Sequence, residues 1–172
     1  MNTQSLIETL PTLWSELVLG APANATGTYM LNIGDAGLLR SLDALSASEA
    51  SATAQGGACI AAHVEHLRYG LSLMNRWATG AQPNLWADAD WTAAWRTTTV
   101  SEAAWRELRD DLRREAERWL NALRQPREVT DRELNVVVGT VAHLAYHLGA
   151  IRQIARAARG PTAEDELKLK AT

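Results

Sequence analysis

The chain has no phenylalanine and only one cysteine, Cys59, among its 172 residues. A single cysteine excludes an intrachain disulfide framework and fits a reducing compartment, so a cytoplasmic location is expected. Positive charge is not in excess either. The formal net charge is −3 and the pI about 5.8, so no global field favours nucleic acid or an acidic membrane surface. The arginines between 106 and 118 are interleaved with Asp and Glu, the pattern of a solvated helix face. No apolar run approaches the roughly 20 residues needed to span a bilayer, so no membrane partner is expected. The N-terminus, Met1 to Glu8, lacks the basic start and apolar core of a secretory signal. Strand signals are sparse: the one β-branched run, Val136–Val138, sits inside a helical pattern. Phosphate loop, nucleophile elbow and dinucleotide fingerprint are all missing.

What is present is helical periodicity. With 47% hydrophobic and 22% charged residues, the composition is that of one globular domain, read as 1–160 followed by a charged, mobile tail at 161–172. The first pattern runs from Gln4 to Leu19 with Leu6, Leu10, Leu13, Trp14 and Leu17 on one stripe; Pro11 either kinks it or opens a second helix. A short helical pattern lies at Ala36–Leu45, and Ser46–Gly57, rich in Ser, Ala and Gly, reads as a flexible loop. The second main helix is Ala58–Thr79, stopped by Gly80. Ala81–Thr98, with Pro83, Trp86, Trp91 and Trp95, is irregular. Thr99-Val-Ser-Glu102 and Thr130-Asp-Arg-Glu133 are capping-box patterns. They open helices to Arg124 and to Arg159, the latter stopped by Gly160-Pro161. The last helix is apolar nearly all round, as expected of a central element or a dimer interface. The expected class is all-α, a four-helix bundle with an extra short helix and loop between its first two main helices.

All four histidines fall in two pairs on these helices, His63 with His66 and His143 with His147. Spacings of three and four put both members of a pair on one helix face, with Cβ atoms about 5–6 Å apart. Imidazole is the commonest side-chain metal ligand. On a wheel centred on Ile60, His63 falls about 60° from the apolar centre and His66 about 120°, so His63 is the better inward candidate. His63, His143 and His147 then form a three-histidine face for a divalent ion such as Zn²⁺ or Ni²⁺, with a coordination position left open to water or substrate. His66 is a fourth ligand, a donor behind the site, or an exposed residue. Glu65 and Asp35 are polar enough to support the ligands, although nothing in the sequence places them.

Other features have plainer readings. Cys59, one turn before His63, is more often a small apolar filler than a ligand. Trp86, Trp91 and Trp95 fit loop packing better than a pocket wall, and Trp105 and Trp119 belong to the core. Arg152 reads as a solvated helix-end charge, and Gly139, Ala142 and Gly149 as a stripe for close helix packing.

Ala61-Ala-His63-Val-Glu-His66 and Ala142-His143-Leu-Ala-Tyr-His147-Leu-Gly-Ala-Ile-Arg-Gln153 resemble the second-helix and last-helix motifs of the DinB/YfiT-like superfamily of metal-binding four-helix bundles. The resemblance maps the family's ligands onto His63, His143 and His147. The segment Gly20–Gly57 departs from its shortest members. The resemblance implies a bundle, commonly a homodimer, carrying Zn²⁺ or Ni²⁺, and an enzyme that transfers a low-molecular-weight thiol such as bacillithiol, mycothiol or glutathione to a small-molecule substrate. A non-catalytic, stress-associated binding or dimerising bundle with a structural metal is the second reading. A metal-dependent hydrolase is the third, disfavoured because no carboxylate stands at fixed spacing from the ligands to act as general base.

Overall fold

The computed structural model describes residues 3–80, 87–162, 164, 165 and 168, with side chains from Glu8 onward. The Leu6 side chain, Pro83, Trp86 and most of the tail expected to be mobile lie outside the described residues. Among those described, the chain is all-α, with no strand. Six α-helices follow one another: α1 Thr3–Leu19, α2 Gly37–Asp43, α3 Ala47–Ala50, α4 Ile60–Ala78, α5 Glu102–Leu123 and α6 Asp131–Ile154. Two 3₁₀ turns, Ala93–Arg96 and Arg156–Ala158, complete the set. The four long helices share one core: α4 packs on α5 and α6, and α1 packs on the same two.

The stripe positions account for that packing. Leu10, Trp14 and Leu17 of α1, Ile60, Val64, Leu67 and Leu71 of α4, Trp105, Leu112, Ala116 and Trp119 of α5, and Val141, Leu144, Leu148 and Ile151 of α6 are all buried. Each core tryptophan also satisfies its indole N–H, as burial requires. Trp14 donates to Ala116 O at 3.2 Å, Trp105 to Leu45 O at 2.8 Å, and Trp119 to the Thr140 hydroxyl at 3.1 Å. Pro11 lies inside one continuous α1.

Several expectations about the connections need correction. Ser46–Gly57 contains a helical turn, α3, opened by a complete capping box in which Ser46 and Glu49 each satisfy the other's backbone N–H. Ala47 and Ala50 anchor this turn in the core. The cap of α5 is Ser101, whose hydroxyl accepts from Ala104 N, and not Thr99. Glu102 instead accepts from Ala47 N at 2.9 Å, tying α3 to α5. The Thr130–Glu133 capping box forms as expected. The last helix ends at Ile154, one turn short of Arg159, because the chain turns extended at Ala155 and buries Ala158.

That early ending is held by Arg152. It is not a solvated charge: it donates to the Ala158 carbonyl at 3.1 Å and pairs with Asp35 at 2.6 Å, a carboxylate only 2% exposed. Gly160 passes so close to the Asp35 carboxylate that a Cβ there would collide with it. The long connection between α1 and α2 is similarly pinned from inside. The buried Glu16 carboxylate accepts the N–H groups of Met30 and Leu31 at 2.7 Å each, and of Tyr29 at 3.0 Å. Gly20 and Gly37, both at positive φ, cross where a side chain on either would overlap the other's backbone neighbourhood.

Helix α6 is, by length and composition, able to cross a membrane, which corrects the reading that no segment approaches that limit. It packs on α1 and α4 and leaves Val138 and Tyr146 exposed. The stripe of Gly139, Ala142 and Gly149 is not a helix-packing surface, since a Cβ on Gly139 or Gly149 would meet nothing within 4 Å.

Candidate metal centre

Helices α4 and α6 face each other with their histidines in register, and all four imidazoles meet. His66 Nε2 lies 3.1 Å from His143 Nε2, and His147 Nε2 lies 2.9 Å from the same atom. One ligand atom from each of His66, His143 and His147 falls within 4.8 Å of the others, so the three could hold a metal ion. His63 stands behind them: its Nδ1 is 2.8 Å from Nδ1 of His147, on the side of that ring away from the cluster.

The grouping exchanges one member of the expected trio. His66 stands in the group where His63 is expected, and His63 contacts a ligand candidate's far nitrogen. The reason is the segment after α4. Ala62, His66 and Leu73 share a flank about 120–160° from Ile60 on the wheel, a flank that reads as the edge of the apolar face. All three are buried; the Ala93–Arg96 turn packs against α4 and lays Trp95 on His66. His66 is 8% exposed, whereas His63 is only half-buried.

Trp95 and Trp91 do the covering. Trp95 stacks on His66 with ring centroids 4.7 Å apart and planes 28° apart, reaches His147 at 6.0 Å and meets His63 edge-on at 5.4 Å. Trp91 lies 6.0 Å from His66. The expectation of loop packing is corrected for both: they wall the histidine cluster. The available signal was their i, i+4 spacing in a segment of undefined structure. Tyr146, itself exposed, stands edge-on to His147 at 5.1 Å.

Burial sets the charge state. His147, 2% exposed, has its pKa lowered to about 3, first by burial and then by repulsion from His143, His63 and His66. His66 is lowered by burial and then by His143 and His63, and His63 and His143 by desolvation. All four rings are therefore neutral at neutral pH, with lone pairs free for a cation. A neutral ring nitrogen carries either one hydrogen or one lone pair. His143 Nε2 thus cannot form two well-directed hydrogen bonds to His66 and His147 at once. A divalent ion removes that conflict by accepting all three lone pairs, a donor set suited to Zn²⁺ or Ni²⁺. It also requires the hydrogen of His147 on Nδ1, where His63 Nδ1 can accept it; such a partner orients a metal-binding imidazole and raises its basicity. His66 Nδ1 is buried and has no hydrogen-bond partner among the described residues.

The proposed polar supports lie elsewhere. Glu65 uses both carboxylate oxygens on Arg68, at 2.6 and 2.7 Å. Asp35 takes Arg152 and the Gly37 N–H. Cys59 caps α4 without touching the imidazoles in any hydrogen bond; its thiol donates to Thr97 O at 3.2 Å. No protein-family model, curated protein or solved structure matches the chain.

Proposed function

We propose that the chain is a metal-dependent enzyme of the DinB/YfiT type, a four-helix bundle that transfers a low-molecular-weight thiol to a small electrophile. The observation that carries this reading is the convergence of three neutral imidazole nitrogens from α4 and α6. His66, His143 and His147 would hold the ion, and His63 would fix the ring of His147. Zn²⁺ or Ni²⁺ in a three-nitrogen site keeps a position open and lowers the pKa of a thiol or water that occupies it. The chain's own residues cover part of the site: Trp95 lies over His66 and His147, while His143 faces outward and leaves the ion approachable.

A hydrolytic reading fits less well, because Glu65 and Asp35 are committed to arginines and, among the described residues, no carboxylate is held against the imidazoles. The non-catalytic reading has one observation in its favour, the exposed Val138 and Tyr146 on α6, which a second copy would cover in a homodimer. The lone cysteine supports a reducing, cytoplasmic setting.

The deciding experiment is metal content by plasma mass spectrometry on tag-free protein, beside His143→Ala. The expected result is about one Zn or Ni per chain, lost in the variant, followed by thiol transfer in a screen of thiols and electrophiles. Protein that is metal-free and takes up neither added ion overturns the enzyme reading. Metal retained with full fold, but no transfer with any thiol, leaves the dimerising bundle.

A further inference from the structure

Beside the histidine cluster, between α4 and α6, lies a cavity of about 270 Å³. Trp14, Leu71, Met74, Trp91 and Leu144 form apolar walls, and His143 stands at its margin. Among the described residues, no charged side chain lines it. The Thr140 hydroxyl is already engaged, donating to Val137 O and accepting from Trp119. Of the lining side chains, His143 is the one that also belongs to the histidine cluster.

Two glycines keep this space open from opposite helices. Gly70 in α4 and Gly139 in α6 both line it, and both are helix-interior positions where glycine costs roughly 1 kcal/mol relative to alanine. Neither is needed for close backbone approach. A Cβ on Gly139 would meet nothing within 4 Å, and one on Gly70 would make an ordinary 3.7 Å contact with Trp91. The side chains omitted here are thus not excluded by packing, and what their absence preserves is volume. An apolar cavity of about 150 Å³ is enough to hold benzene, so this one accommodates a bicyclic ring or a ring with a short chain.

We propose that the cavity binds the uncharged, apolar aryl or alkyl body of a small molecule whose polar or reactive atom lies at His143, beside the three-imidazole face. The ligand class follows from the lining: aromatic walls, no charge, and one imidazole at the end nearest the cluster. Its assignment as the electrophilic substrate rests on the thiol-transfer reading. The binding itself does not depend on that reading, so the two can fail separately.

The test uses the full chain stripped with a chelator and the neutral fluorophore N-phenyl-1-naphthylamine, with emission sensitised by the tryptophans. Wild type should bind one probe per chain. Gly139→Leu, which places a side chain in the cavity, should weaken binding by at least tenfold. Gly149→Leu, the same change on the same helix at an exposed position, should leave it unchanged. Circular dichroism and a thermal melt on both variants identify any loss of fold, and Gly70→Leu repeats the test from α4 if Gly139→Leu fails to fold. No binding by wild type, equal binding by the filled variants, or equal loss in Gly149→Leu overturns the proposal. Binding that behaves as expected in a protein that takes up no metal upholds the cavity and removes the substrate assignment.

Discussion

Lowering the pH of the metal-free protein from about 7.5 to 4 should destabilise it through His147. The ring is 2% exposed and its pKa falls to about 3 on folding, through burial and then repulsion from the three other imidazoles. Between that value and the ordinary one near 6.5, the unfolded chain binds a proton that the native chain refuses. Stability therefore rises with pH across this window: it is complete above about 6.5 and is lost progressively as pH falls. At pH 4 the unfolded state has gained about two and a half units, at 1.36 kcal/mol per unit, or about 3 kcal/mol. His63, His66 and His143 are shifted in the same direction and add to the loss. Carboxylates such as Asp90 also lose folded-state partners on acidification, so the measurement is a difference. Urea unfolding of wild type and His147→Gln, both in chelator, at pH 7.5 and 4, cancels the carboxylates. Wild type should lose about 3 kcal/mol more than the variant across the interval. Equal losses would refute the claim that His147 is held neutral by its surroundings.

Metal affinity should separate the two histidines of α4. His66→Ala should abolish binding of Zn²⁺ in a competition titration, whereas His63→Ala should weaken it about 10–100-fold, the usual effect of removing a partner that orients a ligand; the reverse order would restore His63 to the ligand set. Asp35→Ala leaves the part-buried Arg152 without its ionic partner and the Gly37 N–H without its acceptor, and should cost about 1–3 kcal/mol in denaturant unfolding. Trp105→Phe removes the indole donor to Leu45 O and leaves that carbonyl unmatched, for a loss of about 1–3 kcal/mol by the same measurement.

The long helices were legible because their stripes are long and regular: Trp105, Leu112, Ala116 and Trp119 on α5, or Val141, Leu144 and Leu148 on α6, repeat over several turns. The capping box at Thr130 was legible for a local reason, since its two hydrogen bonds close within four residues. The same signature at Thr99 misled by two residues. Glu102 found a better use across the fold, on Ala47 N, and no local pattern reports that. Arg152 was hidden likewise, its partner Asp35 being 117 positions away. The α4 histidines show the limit most clearly. Their wheel angles are fixed by the sequence, but which flank is buried depends on the Ala93–Arg96 turn folding back. That turn sits in a segment whose periodicity was too poor to read.

The cluster also separates stability from function. Imidazoles packed at 2.8–3.1 Å cannot all form directed hydrogen bonds with one another, and His66 and His147 are buried among them while His143 reaches the surface. An apolar set at these positions would give a more comfortable core, since buried polar groups cost free energy unless paired. Aromatic cover from Trp95 and Trp91 worsens that cost by excluding the water that would otherwise solvate the nitrogens. A bound divalent ion reverses the balance, because whatever binds the native state alone stabilises it by RT ln(1 + [L]/Kd), about 4 kcal/mol at a thousandfold excess over Kd. The melting temperature should therefore rise with Zn²⁺ or Ni²⁺ in wild type and stay flat in His143→Ala. A wild-type melt indifferent to both ions would mean that the four rings are packing residues, and the metal reading would fall with it.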